Sequence, residues 1–161
     1  MASERSVNIQ IRGVYQALNR DYLRSGYHRG HLAPVYLANS QSCADATFTL
    51  TNAAPQDSNF NSVSWWSVER RLAAYLESKC HWQPVYIVTG VVPGTQYINY
   101  RVNVPSHFWT AFCCLDQNNR CSESGGVIGT NDNNSNIREM SVADLEAELG
   151  NLYGTTFQLF Q

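Results

Sequence analysis

The sequence predicts an α+β fold, a mainly antiparallel sheet with flanking helices, and three features of the chain predict it. The first is a stretch of helical periodicity from Asn61 to Lys79, with Trp65, Val68, Leu72, Tyr75 and Leu76 at helical spacing and no interior glycine or proline. The second is a succession of strand-like runs, Val85 to Val92, Tyr97 to Val104 and His107 to Leu115, rich in Val, Ile, Tyr and Phe and punctuated by Pro93-Gly94 and Pro105. These read as an antiparallel meander. The third is a closing helix that Ser141 opens as its N-cap and Gly150 ends. Elements mixed in this way favour one sheet with helices packed against it.

Other segments are shorter. Val14 to Leu23 reads as a helix with Tyr15, Leu18 and Tyr22 on one face, and Thr47 to Thr51 alternates like a strand. Asp116 to Gly126 reads as a polar turn region and Asn131 to Asn136 as a polar loop. A chain of 161 residues suits one hydrophobic core, so residues 1–161 are expected to form a single domain. Apolar residues at 43% and charged residues at 15% describe a globular protein. No uncharged apolar run reaches the roughly eighteen residues of a membrane span, and Met1-Ala2-Ser3-Glu4-Arg5 lacks the apolar core of a signal peptide.

A net charge of −2 argues against a broad basic face for nucleic acid, because such binding is largely counterion release by Lys and Arg. A local patch is compatible with it. Apart from Lys79 the cations are all arginine, whose fork matches phosphate oxygens. Cys43, Cys80, Cys113, Cys114 and Cys121 form no CxxC pair or zinc-ribbon spacing, so disulfides with one thiol left over are expected. Cys113 and Cys114 are neighbours in a strand-like run, so they should face opposite ways and find different partners.

Two segments carry polar residues that packing and turns do not explain. One is Gly26-Tyr27-His28-Arg29-Gly30-His31-Leu32-Ala33-Pro34; the other is Thr51-Asn52-Ala53-Ala54-Pro55-Gln56, continuing through Asn61 to Glu69. A neutral imidazole can take a proton from an attacking water. Mg²⁺ prefers oxygen ligands and keeps most of its waters, so one Asn carbonyl can anchor it and leave positions for a phosphate. On a regular helix Glu69 lies two turns beyond Asn61 and about 80° round, where its carboxylate could hold a metal-bound water. Each residue also has a structural explanation. A histidine is often a hydrogen-bonded structural residue, Asn61 could cap its helix, Asn52 and Gln56 could satisfy loop backbone, and Glu69 could lie on a solvated face. The last is weakened because Leu72 and Ala73, not cations, follow Glu69 three and four residues on.

The string His28-Arg29-Gly30-His31 resembles the Asp-Arg-Gly-His motif of the DNA/RNA non-specific endonucleases, the ββα-metal family. Thr51 to Gln56, followed by Asn61 and Glu69, resembles that family's Asn-x-x-Pro-Gln…Asn…Glu block in order and spacing. Gly26 to Pro34, Thr47 to Gln56 and Arg101 to Trp109 are further similar to the endonuclease domain-containing 1 proteins of animals. The resemblance implies a ββα-metal nuclease fold in which the motif strand and the metal-ligand helix form the ββα finger. It implies an Mg²⁺-dependent endonuclease, with Mn²⁺ as an alternative cofactor, and with DNA and RNA as substrates. It further implies that His31 activates water, Asn61 binds the metal, Glu69 supports the hydrated metal, Arg29 contacts the phosphate and Asn52 shapes the site. Secretion follows from the family and the cysteines together.

The chain departs from the pattern in three places. His28 stands where the family usually has Asp, and Ala73 where some relatives carry an arginine, leaving Arg70 and Arg71 as the nearest cations. The family also begins with a longer N-terminal segment than the residues that precede Gly26 here. These departures fit a second reading, a catalytically inactive relative serving as a binding or immune-interaction module. A third reading, zinc held by His28 and His31 with Cys43 or Cys80, lacks a regularly spaced second ligand pair.

Overall fold

The computed structural model describes residues 16–81 and 83–160. Its centre is a four-stranded antiparallel sheet in the order β3-β6-β7-β8, formed by β3 (Val85–Val92), β6 (His107–Leu115), β7 (Cys121–Thr130) and β8 (Ile137–Met140). Alternation along β6 divides the core between the two faces. Phe108, with Val127 of β7, packs under Phe60, Trp65 and Val68 at the start of the long helix α3 (Trp66–Lys79). Trp109 and Ala111, with Ile128, meet Leu145 and Leu149 of α4 (Val142–Tyr153) on the other face. The sheet is thus sandwiched between α3 and α4, and the α+β expectation holds.

A separate two-stranded ribbon carries the motif. In it β1 (Tyr27–His31) pairs antiparallel with β2 (Ala53–Asp57), placing His28 opposite Gln56, Gly30 opposite Ala54 and His31 opposite Ala53. The chain then enters a π-helical turn, Phe60–Trp65, which runs directly into α3. The ribbon, π-turn and α3 make the ββα unit. Asn131, at the end of β7, ties this unit to the main sheet. Its Oδ1 accepts from the Asp57 amide at 2.8 Å, and its Nδ2 donates to the Pro55 and Pro105 carbonyls at 3.0 and 2.8 Å.

Several expectations are corrected. Thr47 to Thr51 is not a strand. Ser40 caps a helix, α2 (Gln41–Thr47), and Leu50–Asn52 form a 3₁₀ turn. The first helix shrinks to α1 (Asn19–Tyr22), because the buried Asp21 accepts from the Leu18 amide at 2.8 Å and pairs with Arg101, fixing a turn there. Val14 and Tyr15 lie outside the described residues. Tyr97 to Val104 splits into β4 (Gln96–Ile98) and β5 (Val102–Val104), because Asn99 and Tyr100 adopt positive φ and reverse the chain. This hairpin stands between β3 and β6, which pair with each other, so the meander is interrupted. The turn after β6 ends before Cys121, and the polar stretch to Gly126 is strand, held in register by β6. Finally, α4 passes through Gly150 and stops at Gly154, which takes the left-handed conformation at φ 69°.

Both faces of β6 are stapled. Cys114, on the α3 face, is bonded to Cys80, and Cys113, on the other face, to Cys121. Cys43 is the free thiol, as the count required.

Candidate active site

Gly30 is demanded by its partner strand. A Cβ at that position would drive into the side chain of Gln56, which is wholly buried beneath β1. Gln56 therefore does not satisfy loop backbone. Both polar atoms of its amide are buried without a hydrogen-bond partner among the described residues, an arrangement that costs on the order of 1–3 kcal/mol unless something polar binds there.

His28 is the cross-strand partner of Gln56, and its side chain reaches Asn61 in the π-turn. Asn61 Nδ2 lies 3.1 Å from His28 Nδ1, where an imidazole protonated on Nε2 accepts. Donating through its nitrogen, the Asn61 amide leaves its carbonyl oxygen free. Asn61 is not the cap of its helix. That task falls to Asp57, whose Oδ1 accepts from the amides of Asn59 and Phe60 at 2.9 and 3.0 Å. Beneath the turn Phe60 packs on Trp65 and Phe108, with ring centroids 5.3 and 5.9 Å apart, and fixes its position.

His31 ends β1, half-buried, with its ring edge-on to Phe48 at 5.0 Å. Burial holds its imidazole below the ordinary histidine range, so it stays neutral near pH 7. No hydrogen bond joins His31 to Asn61 among the described residues. His28 holds Asn61, and Asn52 fixes the backbone just beyond His31. Asn52 Oδ1 accepts from the Ala33 amide at 2.9 Å, while its Nδ2 donates to the Ala33 and Thr47 carbonyls at 2.9 and 3.0 Å. Asn52 thus acts on the shape of the ribbon.

Glu69 sits one turn into α3. Burial pushes its carboxyl up to about 7, and its side chain makes no ion pair or hydrogen bond among the described residues. The solvated-face explanation is thereby excluded. Arg29 donates to the Asn19 carbonyl at 3.3 Å with its guanidinium 5.2 Å from the Tyr22 ring centroid. The spacing argument for Asn61 and Glu69 assumed a regular helix, and the π-turn alters that relation at its first residues.

The side-chain oxygens left without a hydrogen bond among the described residues are those of the Asn61 carbonyl, the Glu69 carboxyl and the buried Gln56 amide. This chemistry fits Mg²⁺, which takes few protein ligands and retains water. The zinc reading finds no ligand set. Among the described residues no three His, Cys, Asp or Glu side chains cluster, and Cys80 is in a disulfide.

Residues 6–158 match the family described as DNA/RNA non-specific endonuclease. The chain belongs to that family. It is 37% identical over 113 residues to the human endonuclease domain-containing 1 protein, covering 70% of this chain and 22% of that protein. It is 35% identical over 115 residues to human mitochondrial endonuclease G, covering 62% of this chain and 37% of that protein. The chain therefore spans about a fifth to a third of the length of these relatives. The crystal structure of the EndoG/EndoGI complex superposes with a TM-score of 0.66 over 92% of this chain and 69% of that one, at 24% identity, which establishes the shared ββα-metal nuclease fold. No helix among the described residues is long and apolar enough to cross a membrane.

Sequence reasoning overlooked Asn131, read only as part of a polar loop, and the contact of His28 with Asn61. The departure of His28 from the family motif was the signal for the second. Nothing in the sequence marks the first.

Proposed function

We propose that this chain is an endonuclease that hydrolyses phosphodiester bonds of DNA and RNA with Mg²⁺, using His31 as general base and Asn61 as the metal ligand. The observation that carries the reading is the Asn61 amide of the π-turn, held through its nitrogen by His28 with its carbonyl left free. Mg²⁺ bound there would offset the negative charge that grows on the scissile phosphate and on the leaving oxygen. His31, kept neutral by burial, takes the proton of the attacking water. Asn52 holds the backbone beyond His31 so that the imidazole keeps its place. Glu69, ionised when a cation is near, accepts hydrogen bonds from water at the site. Arg29 commits one nitrogen to Asn19 and offers its other donors to a phosphate oxygen. The two disulfides suit an oxidising compartment, so we infer that the protein is secreted.

The test is incubation with plasmid and with RNA, in Mg²⁺ and in excess chelator. Both substrates should be cut in Mg²⁺ alone. His31→Ala should lower the rate by about 10²-fold or more. Asn61→Ala should lower it in a way that raised Mg²⁺ partly restores. Full turnover by His31→Ala, or cleavage that persists in chelator, would overturn the reading. Nucleic acid bound but never cut would favour the inactive binding module.

A further inference from the structure

Each of the two site segments leads directly into an exposed aromatic residue. Tyr36 follows His31 by five residues, and Trp66 follows Asn61 by five. The fold brings the two together. Their ring centroids are 6.5 Å apart, and the indole Nε1 of Trp66 donates to the Tyr36 hydroxyl at 3.0 Å. The indole N–H is thus spent on Tyr36, which accepts it and keeps its own O–H, yet Trp66 remains 41% and Tyr36 44% exposed. Large aromatic rings with open surface offer a partner area for stacking.

A cation completes the group. Arg70, one turn beyond Trp66 on α3, lays its guanidinium 4.6 Å from the Trp66 ring centroid. Among the described residues Arg70 makes no ion pair or hydrogen bond, so its five N–H donors are uncommitted while its position is held by the ring. The neighbouring Arg71 contrasts with it. Arg71 donates to Ser67 at 2.6 Å and pairs with Glu139 at 2.9 Å, so its charge is already neutralised. Glu69 belongs to the same turn of α3 as Trp66 and Arg70.

We propose that Trp66, Tyr36 and Arg70 form a subsite for single-stranded nucleic acid, in which an unpaired base stacks against Trp66, with Tyr36 set edge-on beside it at 68°, and Arg70 binds the adjoining phosphate. A stacking surface and an uncommitted guanidinium are the two elements by which proteins hold single strands without reading sequence. Bases within a duplex are already stacked on one another, so the subsite favours single strands and unpaired regions over intact duplex. The role of the subsite in cleavage rests on the nuclease reading; its binding of a single strand does not.

The experiment is fluorescence anisotropy with one labelled oligonucleotide, as a single strand and as a duplex, in excess chelator so that hydrolysis contributes nothing. Trp66→Ala should weaken single-strand binding roughly ten-fold and leave duplex binding nearly unchanged, whereas Trp66→Phe should retain most of the affinity. Arg70→Gln should make the single-strand dependence of log K on log salt shallower by about 0.7, the value of one phosphate contact. Arg71→Gln should leave it unaltered. Equal losses on both substrates with Trp66→Ala, or no loss on either, would overturn the subsite. An unchanged salt slope in Arg70→Gln would do the same even if Trp66→Ala did not fold. A protein that binds single strands through Trp66 but cuts nothing in Mg²⁺ would overturn the nuclease reading and leave the subsite standing.

Discussion

Glu69 gives the site a measurable signature in stability. Burial lifts its carboxyl from the ordinary 4.5 to about 7, so the folded protein binds that proton more tightly than the unfolded chain does. At about 1.4 kcal/mol per pH unit, the difference corresponds to about 3 kcal/mol. The sign follows from which state holds the proton. Below pH 4.5 both states are protonated and nothing is lost; between 4.5 and 7 the unfolded chain ionises first and stability falls; above 7 the loss is complete and constant. Glu69→Gln cannot ionise, so the gap in unfolding free energy between variant and natural protein should widen by about 3 kcal/mol from pH 4.5 to 7.5. Thermal or urea denaturation in chelator measures it. For a domain of this size the gap equals a shift in Tm of roughly 6–12 °C. The comparison cancels the other titrating groups, His31 and His107 among them. With Mg²⁺ held at Asn61 as proposed, excess Mg²⁺ should close most of the gap at pH 7.5 and little of it at pH 5, because a nearby cation favours the ionised carboxylate. A gap that does not change with pH would refute the reasoning. So would a gap that Mg²⁺ leaves untouched at pH 7.5, since the site would then not hold a cation at Glu69.

Two further outcomes test the ribbon. Because Asn overlays its terminal atoms on the Nδ1 side of a histidine ring and Gln on the Nε2 side, His28→Asn and His28→Asp should keep Mn²⁺ affinity within a few-fold. His28→Gln and His28→Ala should weaken it by about ten-fold, the scale of lost metal-site support; a titration followed by electron paramagnetic resonance reads this, and equal affinity in all four would remove His28 from the positioning of Asn61. Gly30→Ala should cost about 1–3 kcal/mol by overpacking against Gln56, and Gln56→Ala should recover most of it in a double-mutant cycle; additive losses by urea denaturation would mean that the two positions do not meet.

Much of this architecture was legible in the sequence because it depends on local pattern. The strands at Val85 to Val92 and His107 to Leu115 are bounded by proline and glycine, so pattern and structure share their ends. The opposed directions of Cys113 and Cys114 follow from strand alternation alone. What stayed hidden depends on residues distant in sequence. Thr47 to Thr51 alternates convincingly, but Ser40 starts a helix upstream and Asn52 clamps the far end to Ala33. The turn at Asn99 and Tyr100 breaks an apparently continuous strand, with no glycine to announce it. At the site, the motif residues were found from spacing and resemblance, whereas the pairing of His28 with Asn61 and the burial of Gln56 exist only once two strands and a π-turn are assembled. Asn131 joins segments more than seventy positions apart, beyond any local signal.

The π-turn from Phe60 to Trp65 has a consequence for how this site can change over generations. A π-turn places one more residue per hydrogen-bonded loop than an α-helix does. Removing a single residue, Ser62 for instance, would let the segment relax to a continuous α-helix with its two ends nearly in phase, because the α-helix needs one residue fewer for the same turn. Phe60 and Trp65 could then keep their places in the core. The length of this segment is therefore open to change by one residue without loss of the core, and what a shorter version must preserve is the identity of the residue that stands opposite His28.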